Sequence, residues 1–150
     1  EMKVEIDLEA VIPGPDGHKK FRFLNTRDWF GQTSINRDSC MVINTGDEIY
    51  LRGQTGSSLD GEFVGNGDAG AQADQAMKNI TTLLEEAGAS LDDVCKVSIY
   101  VLHRAHREAV YQAVGRHLKG VHPCGTGLVV DGFANPQILV EIDVDAVIQS

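Results

Sequence analysis

Basic residues are scarce in this chain. Thirteen Lys and Arg stand against 22 Asp and Glu in 150 residues, for a formal net charge of −9. A nucleic-acid groove needs cations concentrated along a path of phosphates, and here they come only in isolated pairs such as Lys19-Lys20. No nucleic-acid partner is therefore expected. Long apolar runs are missing too: no stretch approaches the ~18 residues that span a bilayer. The opening "EMKVEIDLEA" has no basic segment leading into an apolar one. The expectation is a soluble, cytoplasmic chain without a membrane partner. Cysteine is sparse, with Cys40, Cys95 and Cys124 odd in number and without Cys-x-x-Cys spacing, so reduced thiols are expected. What remains is ordinary globular composition, 42% hydrophobic and 23% charged, in a length suited to one domain.

Residues 1–38 show no clean period. "VIPGPDGHKK" reads as a loop or hairpin tip, and "FRFLNTRDWFGQTSINRDS" mixes aromatics with turn formers. They are expected to form an N-terminal arm packed on a single domain at 39–150, with Trp29 and Phe30 placed to close over a cleft or to join the core. From Ser39 the pattern sharpens. "CMVINTGDEIYLRG" predicts a hairpin turning at Asn44–Asp47, and Asp60-Gly61 a second small turn. Asp68 is a candidate N-cap for a helix whose buried face is Ala73, Ala76, Met77, Ile80, Leu83 and Leu84, stopped by Gly88. "DDVCKVSIYVL" alternates as a strand, with Val97, Ile99 and Val101 on one face and Ser98, Tyr100 and Leu102 on the other. A second helix buries Ala109, Val110, Ala113, Val114 and Leu118. "GLVVD" and "QILVEIDVDAVI" read as closing strands, the last with Ile138, Val140, Ile142, Val144 and Ala146 inward and Glu141, Asp143 and Asp145 on the opposite face. That acidic face is either solvated or carries a carboxylate to a substrate or partner subunit. This order predicts an α+β sandwich, two helices across one face of a mixed sheet. A second copy of the chain is a natural cover for the other face, where Tyr50, Ser98 and Tyr100 lie.

"HPCGTGLVV", residues 122–130, holds two glycines around Thr126 where an apolar run begins. Such glycines mark a bend or something lying close to the backbone. Cys124 has no base or helix N-terminus beside it and reads as a buried thiol. His103 and His106 lack a third ligand and read as a polar cap before the second helix rather than a metal site. "GNG" at 65–67 lacks the lysine and spacing of a phosphate loop and reads as a turn.

"GDEIYLRGQTG", "AQADQAMKNITTLLEEAGASLDDVCKVSIYVL" and "LVEIDVDAVI" together resemble the Rid family, also called YjgF/YER057c/UK114 or L-PSP. "LLEEAGASLDDVCKV" is the most specific part, and the resemblance covers residues 39–148. It implies a chorismate-mutase-like fold, a homotrimer with a central barrel, and a small-molecule ligand in each cleft between subunits. It also implies hydrolysis of reactive imines and enamines to a 2-oxo acid and ammonia. In the deaminases of that family a Pro-Ala-Arg-Ser segment supplies an arginine that clamps the substrate carboxylate. Here the same register reads Pro123-Cys124-Gly125-Thr126, with Gly125 at the arginine's place. Gly127 matches the cleft cysteine, Tyr111 the cleft asparagine and Ser39 a first-strand tyrosine. Glu141, in "VEIDV", matches the family's carboxylate and is the candidate catalytic residue, to orient water or act as general base. Arg52 is the candidate to replace the lost arginine, with Arg37 and Arg116 behind it. Backbone N–H groups of Gly53 or of Cys124–Thr126, and the Thr126 hydroxyl, are candidate substrate donors. No metal and no cofactor is called for. The resemblance leaves open an imine or enamine deaminase other than the standard 2-iminopropanoate enzyme, and a non-catalytic binding or regulatory trimer. An endoribonuclease is a third reading, which the acidic charge disfavours.

Overall fold

The computed structural model describes residues 6, 8–25 and 37–148. Trp29 and Phe30, and whatever closure they offer, lie outside the described residues. Six strands form one mixed sheet: β1 (Lys19–Asn25), β2 (Asp38–Asn44), β3 (Glu48–Leu51), β4 (Val94–Val101), β5 (Cys124–Val129) and β6 (Val140–Val147), in the order β1-β2-β3-β6-β4-β5. Among the described residues two α-helices, α1 (Ala69–Glu86) and α2 (Arg107–His117), pack on one face. Among the described residues only β4 and β5 pair in parallel, joined by α2 as a crossover; β6 comes back last and inserts antiparallel between β3 and β4. This is the α+β arrangement the sequence predicts. No helix among the described residues is long and apolar enough to cross a membrane.

The local signals are met where they were sharpest. Asn44–Asp47 turns the β2–β3 hairpin, the Asn44 side chain accepting from the Gly46 N–H at 2.7 Å. The Asp68 carboxylate caps α1 by accepting from the Ala71 N–H at 3.0 Å. Gly88, at φ +85°, ends it, and the Ala89 N–H reaches back to the Leu84 carbonyl at 2.8 Å. Ala73, Ala76, Met77, Ile80, Leu83 and Leu84 of α1 are all fully buried. They meet Val97, Ile99 and Val101 of β4 and Val140, Ile142, Val144 and Ala146 of β6, the predicted inward faces. The His103 ring accepts from the Ala105 N–H at 3.1 Å and caps the turn leading into α2.

Several expectations need correction. Lys19–Asn25 is a strand, although its sequence has no clean period; Arg22 sits at φ 52° in its middle, held by a bidentate pair with Glu86 of α1 at 2.6 and 2.8 Å. Ala109 is exposed, lying over Gly70 at the rim of the α1–α2 contact instead of inside it. Strand β6 begins at Val140 rather than Gln137, because the preceding residues bond to a side chain: the buried Gln72 amide of α1 donates to the Gln137 carbonyl at 2.9 Å and accepts from the Leu139 N–H at 2.8 Å. Cys124 is exposed, not buried, because it starts an edge strand, β5, whose six residues are all exposed.

Candidate functional site

The chain past β3 sets the geometry. Arg52 N–H still bonds to the Met41 carbonyl at 2.8 Å, but Gln54 leaves β2 and bridges β6, exchanging both bonds with Ile142 at 2.9 and 2.8 Å. That bridge seats Gly53 against the residues flanking Ile142. A Cβ at Gly53 would run into the carboxylate oxygens of both Glu141 and Asp143, so only glycine lets the two acid side chains lie down there. Buried amides hold the loop in place. Asn79 of α1 donates to the Ser57 carbonyl at 2.7 Å and to Gln54 Oε1 at 3.3 Å, while Gln54 Nε2 donates to the Arg52 carbonyl at 2.7 Å.

Arg52 and Glu141 line one cavity of about 140 Å³, together with Gly53, Gln54, Ser57 and Asn135. Burial pushes the Glu141 carboxyl up from its ordinary range, the nearby Asp143 charge adds to this, and Arg52 opposes both. Burial likewise lowers the Arg52 guanidinium from its ordinary value; Glu141 supports its charge and the neighbouring Arg37 opposes it. Arg37 thus lies within electrostatic reach of the site. Arg116 does not share it, standing 3.6 Å from Asp74 on the helical side. Asp143 is raised first by burial, while the nearby Tyr100 hydroxyl pulls the other way. Glu141, Asp143 and Gly53 also border a second, wider cavity of about 770 Å³ on the open face of the sheet, roofed by Glu9, Ala10, Val11 and His18.

The remaining candidates form a separate group. Gly125 and Gly127 pair with Val97 and Ile99 of β4, whose side chains point to the helical side. Among the described residues, nothing but Val97 Cγ1, at 3.8 Å, would meet a Cβ at Gly125, so this position is open to a side chain. At Gly127 the Tyr111 hydroxyl of α2 already occupies the place a side chain would take. Thr126, beside Ser98, faces the open side, and Cys124 is the exposed start of the strand. Ser39 lies on β2, its hydroxyl buried without a hydrogen-bond partner among the described residues. Strands β6 and β4 separate Arg52 from Gly125, which at ~4.8 Å per strand is on the order of 15 Å. Glu141 and Gly125 also lie on opposite faces. Within one chain, then, Arg52, Gly53 and Glu141 come together, Tyr111 comes together with Gly127, and the two groups do not meet. Sequence reasoning missed Asp143 as a neighbour of Glu141 and the amide framework of Gln54, Gln72 and Asn79. The only signal was the presence of three polar amides at core-facing positions.

Similarity to known proteins points one way. An uncharacterised protein of Streptomyces coelicolor is 28% identical over 105 residues, 70% of this chain and 78% of that protein. A 2-iminobutanoate/2-iminopropanoate deaminase of Dermatophagoides farinae is 32% identical over 60 residues, which are 40% of this chain and under half, 47%, of the deaminase. A crystal structure of a YjgF/YER057c/UK114 family member from Mycobacterium tuberculosis has the same fold, with a TM-score of 0.72 at 24% identity over 88% of this chain and 100% of that one. The family model described as Endoribonuclease L-PSP matches residues 33–148, and the chain belongs to that family, the Rid or YjgF/YER057c/UK114 proteins.

Proposed function

We propose that the protein is a hydrolase of small imines or enamines, working at clefts between the subunits of a homotrimer, with residues 1–38 as an arm packed on the domain at 39–150. The observation that carries this reading is the meeting of Arg52 and Glu141 in one cavity over a glycine that seats the carboxylate. Arg52 supplies a cation for an acid group on the substrate, in place of the arginine absent at Gly125. The raised carboxyl of Glu141 suits a group that must take up a proton. In the reaction, water oxygen bonds to the imine carbon as Glu141 accepts the water's proton. The nitrogen, protonated as the C=N electron pair moves onto it, is then the amino group of a carbinolamine; Glu141 returns its proton to that amino group, the C–N bond breaks to release ammonia, and the hydroxyl gives up its proton to water as the C=O forms. Backbone N–H groups at Gly53 position the water. The separation of the two groups of candidate residues supports clefts between copies. Gly125, Thr126, Gly127, Tyr111 and Cys124 line the uncovered edge of one chain, and Arg52, Gly53 and Glu141 the open face of another, with Ser39 beside it on β2. The similarity to a 2-iminobutanoate/2-iminopropanoate deaminase supports the reaction class.

The test generates 2-aminoacrylate or 2-aminomuconate in situ and follows ammonia release. Wild type is expected to exceed buffer, Glu141→Ala to lose on the order of 10²-fold or more in kcat, and Arg52→Ala to lose mainly in KM. A second reading, a binding or regulatory trimer without catalysis, is favoured by the open position at Gly125 and the Tyr111 hydroxyl in place of a side chain at Gly127. Ammonia release no faster than buffer for every imine tried decides for it.

A further inference from the structure

The open face of the sheet holds a residue that the cavity around Arg52 does not account for. Asp143 follows Glu141 by two positions on β6, so both project from the same face. They do not spread apart into solvent as alternate residues of an exposed strand would. The Gln54–Ile142 bridge brings the chain back between them, and an oxygen of each carboxylate abuts the same point above Gly53. Like charges so placed repel and tighten the hold of the pair on a proton. Tyr100 of β4 stands across the strands from Glu141 and diagonally beside Asp143, near enough for Tyr100 and Asp143 to act on each other's charge. Glu141 sits where the two cavities meet, bordering both, whereas Asp143 borders only the wide one.

We propose that Asp143 is a positioning residue for Glu141: sharing the seat over Gly53 beside Tyr100, it presses the Glu141 carboxylate toward Arg52 and strengthens it as a proton acceptor. This rests on the hydrolase reading above and adds to it the reason for a second acid. Both carboxyls are raised, each first by burial, and the Asp143 charge is the next cause acting on Glu141. Among the described residues, the other titratable and charged groups facing the pair come from three elements and the segment ahead of β1. Tyr50 lies on β3, its hydroxyl donating to Glu48 at 2.8 Å, and Arg52 stands at the strand's end with Arg37 nearby. Lys96 is on β4, 3.8 Å from Asp145 of β6. Glu9 and His18 come from the segment ahead of β1. Of these, Arg52 alone acts on Glu141 beside Asp143 to a degree that moves it, so removing Asp143 leaves burial opposed by Arg52 with no second acid adding to it.

The experiment uses the full chain as wild type, Asp143→Asn, Asp143→Glu and Tyr100→Phe. The Glu141 carboxyl is followed by carbon NMR against pH, assigned by its loss in Glu141→Gln, and kcat/KM for imine hydrolysis is measured over the same range. In Asp143→Asn the Glu141 midpoint is expected to fall by about one pH unit. The acid limb of kcat/KM should move down with it, and kcat on the plateau should drop about tenfold. Asp143→Glu restores the midpoint toward wild type, and Tyr100→Phe lowers kcat with little change in KM. A Glu141 midpoint that stays in place in Asp143→Asn, in a chain with unchanged circular dichroism, overturns the proposal. If Asp143→Asn does not fold, a Tyr100→Phe chain whose Glu141 midpoint and pH profile both match wild type overturns it instead. The titration needs no substrate, so inactivity of the wild type sinks the hydrolase reading separately, while the midpoint still decides whether Asp143 acts on Glu141.

Discussion

A side chain at Gly127 and the hydroxyl of Tyr111 would claim the same space, so bulk at these two positions can only be exchanged between them. Gly127→Cys alone must push the tyrosine aside, and because Tyr111 is 38% exposed and can swing toward solvent the cost falls at the low end for overpacking, about 1 kcal/mol. Tyr111→Asn in the same chain vacates that place. The double variant is expected to recover most of the loss, and the coupling appears as non-additive midpoints in urea unfolding. Gly125 differs, because a side chain there meets only Val97 at ordinary contact distance. Gly125→Arg should therefore fold like wild type and present a guanidinium at the strand edge. A carboxylate-bearing imine is expected to bind it at least about tenfold more tightly, read as a lower KM in ammonia release.

At the scale of elements, the framework behind the site depends on three buried amides, Gln54, Gln72 and Asn79. Gln72 alone serves the Gly65 and Gln137 carbonyls and the Leu139 N–H. Gln72→Leu keeps the volume and strands these groups, each costing about 1–3 kcal/mol where it stays buried; chemical denaturation should show a loss of that order, with the start of β6 exchanging its amides faster. The two helices are tied differently. Asp74 of α1 is held well below the usual carboxylate range, at about 2, by Lys78 first and then by His117 of α2. A depressed carboxyl stabilises the fold above its unfolded value, and that contribution fades as pH falls through the folded one. The stability difference between wild type and Asp74→Asn should therefore be full above about pH 4 and vanish near pH 2, which urea midpoints across that range will show. These elements also mark how far the sequence was legible. Periodicity gave α1, β4 and β6 because each buries one clean face, and Asp68 and Gly88 named the ends of α1. Lys19–Asn25 hid because Arg22 interrupts its backbone in the left-handed region and its strand character comes from pairing with β2. The Rid motifs point to Glu141 and Gly125. Nothing local could show that Gln54 returns to Ile142 across some ninety residues of chain, and without that bridge Asp143 reads as one more exposed acid on an alternating strand.

For the whole molecule, the telling feature is an edge that one chain leaves bare. All of β5 is exposed, with Leu128 at 50% and Val129 at 47% of full accessibility, and its outer backbone groups face no strand of the sheet. Soluble chains blunt such edges with charge or proline, yet "CGTGLV" carries neither, which marks an edge meant to be covered. The acidic open face is the opposite kind of surface, hollow and polar, and it holds half of the candidate site. Covering one with the other joins unlike surfaces, and such a contact must close into a ring to avoid growing into a filament. Three copies per ring is the expectation carried by the family resemblance. Light scattering should then give three times the 16.3 kDa of the chain. Leu128→Arg places a charge at the centre of that contact and is expected to yield a folded monomer with the circular dichroism of wild type and no ammonia release, since Arg52 and Glu141 would have lost the edge that faces them. A monomeric wild type, or a Leu128→Arg monomer that hydrolyses imines at the full rate, would place the entire site within one chain and end the proposal of a cleft between subunits.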